Sequence, residues 1–436
     1  MKVSTTTITQ FIKLGMVVVI ATSASMAAHA QYTLDQCQQM AQENYPLIKR
    51  YDLINSTTNL TIENLGKNYL PQVSFGAQAT LQSDVMEYPD AFKDILSAGG
   101  YDIVGLKHDQ YKVGIDVSQV IYDGGNISTA KNAARAEGEV NRLKNDVDLY
   151  ELRDRVNNLY FGILLLNDRI KFNDSHRQLL ADSHRKLQAM ADGGTALQAD
   201  ADAVKAELLK AGQQRTELIS SRNSYIKMLS IFIGTAIDSN LPTPSADIPA
   251  DNSVMRPELQ LFDAQKRYTQ ARMKQLDASI KPRLSAFAQG FYGYPGLDSF
   301  EAMFDHKWTL NGIIGLKLSW NISSLYTHRR EKSKLAVAIN EIDNARDVFL
   351  FNNYLKTTSS RSDIERYRSM LADDAEIVEL RTSIRQSAEA KLENGIIDVN
   401  DLLREITEEN NALTQRSTHE IEMLKSIYEL RTNLNQ

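Results

Sequence analysis

The chain has a single cysteine, Cys37, in 436 residues. No intramolecular disulfide can form, and no Cys-x-x-Cys pair exists to hold a metal or run redox chemistry. Proline (9) and glycine (21) are scarce, which argues for long, uninterrupted secondary structure. Basic residues are not in excess: Lys plus Arg is 49 against 55 for Asp plus Glu, a formal charge of −6, so a nucleic-acid footprint is not indicated. Apolar residues make up 42% and the mean hydropathy is −0.35. A polytopic helical membrane protein is excluded, because each span needs roughly 20 mostly apolar residues. Also missing are HExxH, GxSxG, Walker A and GxGxxG. His176 and His184 share a helix face without an acidic residue spaced for a metal, and read as surface residues. No catalytic residue, cofactor or metal is expected. Length alone suggests two or three domains.

What is present begins with an export leader over residues 1–30. Lys2 and Lys13 precede the apolar stretch Leu14 to Ile20, and Ala28-His29-Ala30 supplies the small-x-small pattern of a cleavage site. Cleavage after Ala30 leaves Gln31 first; a retained anchor is the alternative. Cys37 follows polar Asp35-Gln36, well past the apolar run, so lipidation is not expected.

The rest is one unit written twice. Pro71-Gln72-Val73-Ser74-Phe75 is echoed from Pro282, an offset of 211, and Val113-Gly114-Ile115 by Ile314-Gly315-Leu316, an offset of 201. Gly194 and Asp200 match Gly395 and Asp401, again at 201. The change of ten places a longer loop between the first two landmarks of the first copy. We therefore divide the chain into a first repeat over 31–237, a proline-rich linker over 238–253 and a second repeat over 254–436.

Each repeat reads as helix, two strands, very long helix, turn, helix. Between Gly125 and Asp192 there is no proline, and Leu149, Leu152, Val156, Leu159, Ile163, Leu166 and Ile170 form a heptad seam. An earlier seam, Val140, Leu143, Val147 and Tyr150, runs one residue out of phase, which changes the winding locally. Such a helix would be ~100 Å long, so the expected object is elongated. Asp192-Gly193-Gly194 and Glu393-Asn394-Gly395 are the turns.

The strands carry a membrane signal. From Trp308 to Trp320 one face is Trp308, Leu310, Ile314, Leu316, Leu318 and Trp320; Asn311, Lys317 and Ser319 lie on the other. Val73, Phe75, Ala77, Ala79 and Leu81 alternate likewise, as do Val113, Ile115 and Val117. The strand from Leu284 to Tyr292 alternates poorly, with Phe287 and Phe291 on the polar face. An apolar outside and polar inside suit a transmembrane barrel, and equally a soluble sandwich. The two tryptophans, twelve residues apart, would span about 28 Å when tilted, the separation of two aromatic girdles. Four strands cannot close a barrel, and an open edge in lipid is forbidden, so strands must be pooled between protomers.

The layout from Tyr32 to about Leu430 resembles the TolC-like outer-membrane factors. Its N-terminal signature stands as Leu34, Cys37, Ala41, Asn44 and Pro46, and its strand-to-helix junction as Tyr122-Asp123-Gly124-Gly125, where the second copy has Ser323-Ser324-Leu325-Tyr326. The resemblance implies an α+β membrane protein and a homotrimer. Four strands per protomer are pooled into a 12-stranded β-barrel in outer-membrane lipid, and the long helices form a periplasmic α-barrel. It implies a periplasmic adaptor and an inner-membrane pump of RND or ABC type as partners, with no nucleic acid. The hairpin ends, here Gly193, Gly194, Thr195, Asn394, Gly395 and Ile396, would meet the adaptor. Asp200 and Asp401 would ring the periplasmic aperture, with Asp398 or Arg404 substituting in the closing network. The family's basic and aromatic locking partners fall on Ile397 and Leu392. Helix capping is the alternative role for the aspartates.

The expected function is the exit duct of a tripartite efflux pump in the outer membrane of a Gram-negative bacterium. The type I secretion channel shares the architecture. A periplasmic coiled-coil scaffold or adhesin is the rival of another class, and a passive porin has no need of such helices.

Overall fold

The computed structural model describes residues 32–101 and 105–436, so the leader expected over 1–30 lies outside the described residues. In chain order the elements are α1 (Leu34–Asn44), α2 (Arg50–Lys67), β1 (Gln72–Leu81), α3 (Asp90–Ala98), β2 (Asp109–Tyr122), α4 (Asn126–Tyr150), α5 (Leu152–Asp192) and α6 (Gln198–Ile233). They are followed by α7 (Pro257–Ser279), β3 (Arg283–Tyr294), α8 (Ser299–Phe304), β4 (Thr309–Ser319), α9 (Leu325–Glu393) and α10 (Val399–Leu434). Short 3-10 turns sit at Pro46–Lys49 and Ile322–Ser324.

The expected single helix after β2 is interrupted once, at Glu151, between α4 and α5. This is where the two hydrophobic seams change phase, from Tyr150 to Leu149 and Leu152. Glu151 keeps right-handed helical angles (φ −62°, ψ −17°) and its N–H still reaches the Val147 carbonyl at 3.2 Å. The chain slips rather than turns, because one residue of phase is absorbed by a local change in winding. In the second repeat the corresponding α9 is continuous over 69 residues.

Two compact units are made, each from both repeats. The first comprises residues up to Ile48, Asp146–Arg256 and Phe349–Gln436. It is helical. Thr33 starts α1 with a capping box: its hydroxyl accepts from the Gln36 N–H at 3.3 Å while the Gln36 side chain accepts from the Thr33 N–H at 2.9 Å. Leu34, Cys37 and Ala41 then bury one stripe against Tyr160, Phe161 and Leu164 of α5, Leu229 and Ile233 of α6, and Ile427 and Leu430 of α10. Full burial of each large apolar side chain contributes about 1.5–3 kcal/mol. The buried face of α5 is wider than the heptad seam, since Tyr160, Phe161 and Leu164 join Val156 and Ile163. Its neighbours α1, α6 and α10 demand a broad stripe. Cys37 is completely buried, and burial pushes its thiol up to about 11.

The segment expected as a linker lies strapped along this unit. The Tyr160 hydroxyl donates to the Pro242 carbonyl at 2.7 Å, and Asn167 Nδ2 to the Ser239 carbonyl at 2.7 Å. Arg361 reaches Asn252 Oδ1 at 2.6 Å, and the Met255 N–H reaches the Leu434 carbonyl at 2.9 Å. Proline removes donors from such a segment, so its carbonyls are what side chains can hold.

The second unit comprises Lys49–Asn145 and Pro257–Val348, and contains the sheet. Its helices bury few residues: none in α2, and Ala264, Thr269 and Ala278 in α7. Gly138 of α4 allows close approach of α2, since a Cβ there would fall 2.5 Å from Thr58 Oγ1. Asp277 receives Lys332 Nζ at 2.9 Å and His328 Nε2 at 3.0 Å. His328 is thus tied to α7.

The four strands form one antiparallel sheet in the order β1-β2-β3-β4. Val73 pairs with Val117, Phe75 with Ile115, Ala288 with Ile314 and Ala286 with Leu316, all on one face. Ser74 pairs with Asp116, Asp116 with Gln289, and Ser285 with Lys317 on the other. β1 and β4 are edge strands.

Candidate functional site

Two places in the fold carry the residues singled out in the sequence, one in each unit. The first is the sheet. Its apolar face is bare: Phe75 is 74% exposed, Leu310 81% and Ile314 86%. A row of such side chains does not stay in water, and soluble monomers rarely expose so large an apolar patch. Both edges present unpaired backbone groups, which need a partner strand or water. Among the described residues no helix is long and apolar enough to cross a membrane.

Trp308 and Trp320 flank β4. The Trp308 ring stacks on Tyr111 at 5.8 Å between centroids and leans on Tyr292 at 5.5 Å, so three strands contribute aromatic rings at one end of the apolar face. At the other end, Trp320 Nε1 donates to the Ile280 carbonyl at 2.9 Å. An amphipathic ring with a satisfied polar tip is what a membrane interface favours.

The irregular β3 is explained by its neighbours. Phe291 lies opposite Gly114 of β2, and Phe287 opposite Gly315 of β4. A Cβ on Gly315 would stand 2.9 Å from the Phe287 ring. The Phe287 ring covers Gly315, while at Gly114 it is the Phe291 Cβ and the Gly290 carbonyl that occupy the space of a side chain; these are the glycines that correspond in the two repeats. At Gly315 the pattern is an aromatic side chain filling the gap that a glycine leaves in a sheet. Lys112 Nζ in turn lies 4.2 Å from the Phe291 ring centroid. Alternation read strand by strand could not show this, but a glycine at the same place in both repeats was the available signal.

The second place is the pair of hairpin ends in the helical unit. Both helices stop in the same way. Thr195 N–H bonds the Met190 carbonyl at 2.8 Å and Gly194 N–H the Ala191 carbonyl at 3.0 Å; Ile396 N–H bonds the Lys391 carbonyl and Gly395 N–H the Leu392 carbonyl, both at 2.9 Å. Gly194 (φ +75°) and Gly395 (φ +67°) supply the left-handed residue this stop requires. Gly193, Thr195, Asn394 and Ile396 are all exposed, with Ile396 at 69% although apolar. Below the turns, Leu187, Ala201, Val204, Ala388, Val399, Leu402 and Ile406 form one core shared by both hairpins. Lys186 of α5 meets Glu393 of α9 at 2.9 Å.

Of the acidic candidates, Asp398 is the N-cap of α10, accepting from the Asp401 N–H at 2.9 Å. Asp200 accepts from the Leu197 N–H at 3.3 Å in the first turn of α6. Asp401 pairs with Arg404 at 3.2 Å, and Arg404 also reaches Glu405 at 3.2 Å. The carboxylates thus serve helix starts, favoured there by the macrodipole, while remaining partly or fully exposed. Leu392 and Ile397 pack onto the shared core. They are apolar because the core needs them.

Sequence reasoning missed three features of the helical unit. Asn44 Nδ2 donates to the Ile231 and Phe232 carbonyls, both at 3.1 Å, and so closes the C-terminus of α6. Buried Glu409 forms an ion pair with the partly buried Arg385 at 2.6 Å. His419 Nδ1 meets Asp374 Oδ2 at 2.6 Å, both buried. The partners are 24 to 188 residues apart, beyond any local pattern. His176 and His184 are half-buried rather than on an open surface, and burial holds the His176 imidazole below its ordinary value.

No protein-family model matches the sequence, and no curated protein matches it. Solved structures do. The outer-membrane channel OprN superposes with a TM-score of 0.65 at 14% identity, over 92% of this chain and 89% of that one. The fold is that of the outer-membrane channels. The outer membrane protein VceC of Vibrio cholerae gives 0.65 at 12% identity over 92% and 95% of the two chains. The CmeC outer membrane channel of Campylobacter jejuni gives 0.65 at 13% identity over 92% and 85%. The outer-membrane channel fold thus covers nearly the whole described chain. At such low identity the common element is the fold, with its four strands and long helical hairpins.

Proposed function

We propose that this chain is the outer-membrane exit duct of a tripartite efflux pump in a Gram-negative bacterium, and that it works as a conduit rather than an enzyme. Three copies pool their strands into a 12-stranded barrel in outer-membrane lipid, and their hairpins into a periplasmic α-barrel. Each repeat, 31–237 and 254–436, supplies one strand pair and one hairpin, and 238–253 joins them. The observation that carries this reading is the open four-stranded sheet, bare on its apolar face and unpaired along β1 and β4. Closure between copies satisfies both edges and gives the apolar face to lipid.

The hairpin ends at Gly193, Gly194, Thr195, Asn394, Gly395 and Ile396 dock a periplasmic adaptor, with exposed Ile396 as an apolar contact. Asp200, Asp401, Asp398 and Arg404 line the aperture. An inner-membrane pump of RND or ABC type supplies the energy, and small molecules such as drugs or toxic compounds are the cargo. Support comes from the fold shared with OprN, VceC and CmeC.

The test is the native mass of the protein extracted from outer membranes in detergent, corrected for bound detergent. A mass near three chains is expected. A water-soluble monomer or dimer overturns the reading and returns the chain to the periplasmic scaffold class.

A further inference from the structure

The ionisable residues of the sheet are unevenly placed. The register sets Lys112 of β2, Arg283 of β3 and Lys317 of β4 on the polar face, together with one carboxylate, Asp116 of β2. Glutamine, serine, threonine, asparagine, glycine and a few apolar side chains fill the remaining positions of that face. The apolar face holds only Asp109, at the very end of β2 opposite Leu81. The polar face therefore carries three cations against one carboxylate.

The cations are also available. None of Lys112, Arg283 and Lys317 is ion-paired among the described residues. Lys112 rests on the Phe291 ring, a contact that fixes the ammonium without neutralising it. Arg283 and Lys317 are exposed. The single carboxylate accepts from Gln289 Nε2, a neutral amide that leaves its charge in place, so the face keeps a surplus of two cations per copy. Position reinforces the imbalance. Lys317 pairs with Ser285, which pairs with Val120, so Lys317 stands eight residues of β2 from Lys112, about 26 Å along the strands. Lys112 belongs to one end of the sheet, Lys317 and Arg283 to the other, and Asp116 lies between them.

We infer that the polar face of the sheet is an anion-attracting lining, with a cationic belt near each end, and that the duct favours anionic solutes over cationic ones through its membrane stage. The inference rests on the barrel reading above, in which this face becomes the lumen and three copies multiply the surplus threefold. Like charges ringing a pore with low-dielectric walls focus their field on its axis and enrich the counter-ion there. The hairpin ends, with Asp200 and Asp401, carry the opposite sign, so the two regions pull ion selectivity in opposite directions and can be separated by substitution.

The experiment is single-channel recording of the purified protein in planar bilayers under a potassium chloride gradient, read as the chloride-to-potassium permeability ratio. Lys112→Gln with Lys317→Gln is expected to lower the ratio about twofold or more, and Lys112→Arg with Lys317→Arg to leave it unchanged. Lys317→Gln alone, at an exposed position, is expected to move it in the same direction and guards against misfolding of the double variant. The aromatic polyanion pyrenetetrasulfonate, added on the side of the strand loops, is expected to block the parent and to lose potency in the glutamine variants. Channels whose ratio and block are unmoved by these substitutions overturn the inference and leave the channel reading standing. A correctly assembled protein that conducts no ions even when Asp200→Ala and Asp401→Ala relax the aperture overturns the channel reading itself.

Discussion

Phe291 of β3 lies directly across from Gly114 of β2, with so little room that a Cβ on Gly114 would stand 2.7 Å from the Phe291 Cβ and 2.6 Å from the Gly290 carbonyl oxygen. Gly114→Val is therefore expected to force β2 and β3 apart. Overpacking of this kind costs about 1–3 kcal/mol per protomer. Gly290→Val, on the apolar face of the central strand β3 with nothing within 4 Å of its Cβ, is the matched control. The oligomer's resistance to heat in detergent should fall sharply for the first and stay near the parent value for the second.

Asn44 and Gly234 form another such pair. The Asn44 amide closes two carbonyls at the end of α6, and Gly234 takes a left-handed conformation (φ +75°) with its missing Cβ 2.6 Å from Asn44 Oδ1. Asn44→Ala should destabilise the helical unit by about 1–2 kcal/mol. Gly234→Ala should cost at least as much, through strain and collision together. Thermal denaturation followed by helical circular dichroism is the measurement.

The aspartates near the turns invite a separation of roles. Asp398→Ala removes the α10 cap and should cost about 0.5–2 kcal/mol of stability. Asp200→Ala combined with Asp401→Ala should raise single-channel conductance or weaken cation preference. Unchanged single-channel behaviour in that double variant would remove these residues from the aperture.

Glu429 has a pH signature of defined sign. Desolvation raises its carboxyl above the ordinary carboxylate range, and Lys425, 4.0 Å away, only partly opposes this. A carboxyl raised on folding favours the native state in its protonated form. Its contribution is full below the unfolded value of about 4.3 and is lost as pH rises through the folded one. Glu429→Gln should therefore raise the melting temperature at pH 7 and make no difference near pH 4. A gain that persists at pH 4 would show that packing, not charge, is responsible.

Much of this architecture is written locally. The heptad residues Leu152, Val156 and Ile163 are buried, and the glycines at 194 and 395 end their helices. The strands fall where period-two alternation puts them, because each side chain's face is set by its own position in a pleat. Where two local signals compete, the outcome is not legible: the phase change near Tyr150 gave one slipped helix in the first repeat, while α9 ran on unbroken in the second. Nor could the strap over 238–253 be read as bound, since the tyrosine, asparagine and arginine that hold it come from distant helices.

The sequence by itself determined the duplication, the order of elements in each repeat, the turns at Gly194 and Gly395 and the sidedness of three strands. All of these depend on neighbours a few residues away, or on comparing the chain with itself. Tertiary structure alone decided that Phe287 and Phe291 lie across from the repeat-related glycines, and that Asn44 closes α6. It also brought Lys112, Arg283 and Lys317 onto one face with a single carboxylate. Each of these joins residues whose meeting depends on strand register or helix packing, and register is fixed by all the pairs of a sheet together rather than by any one segment.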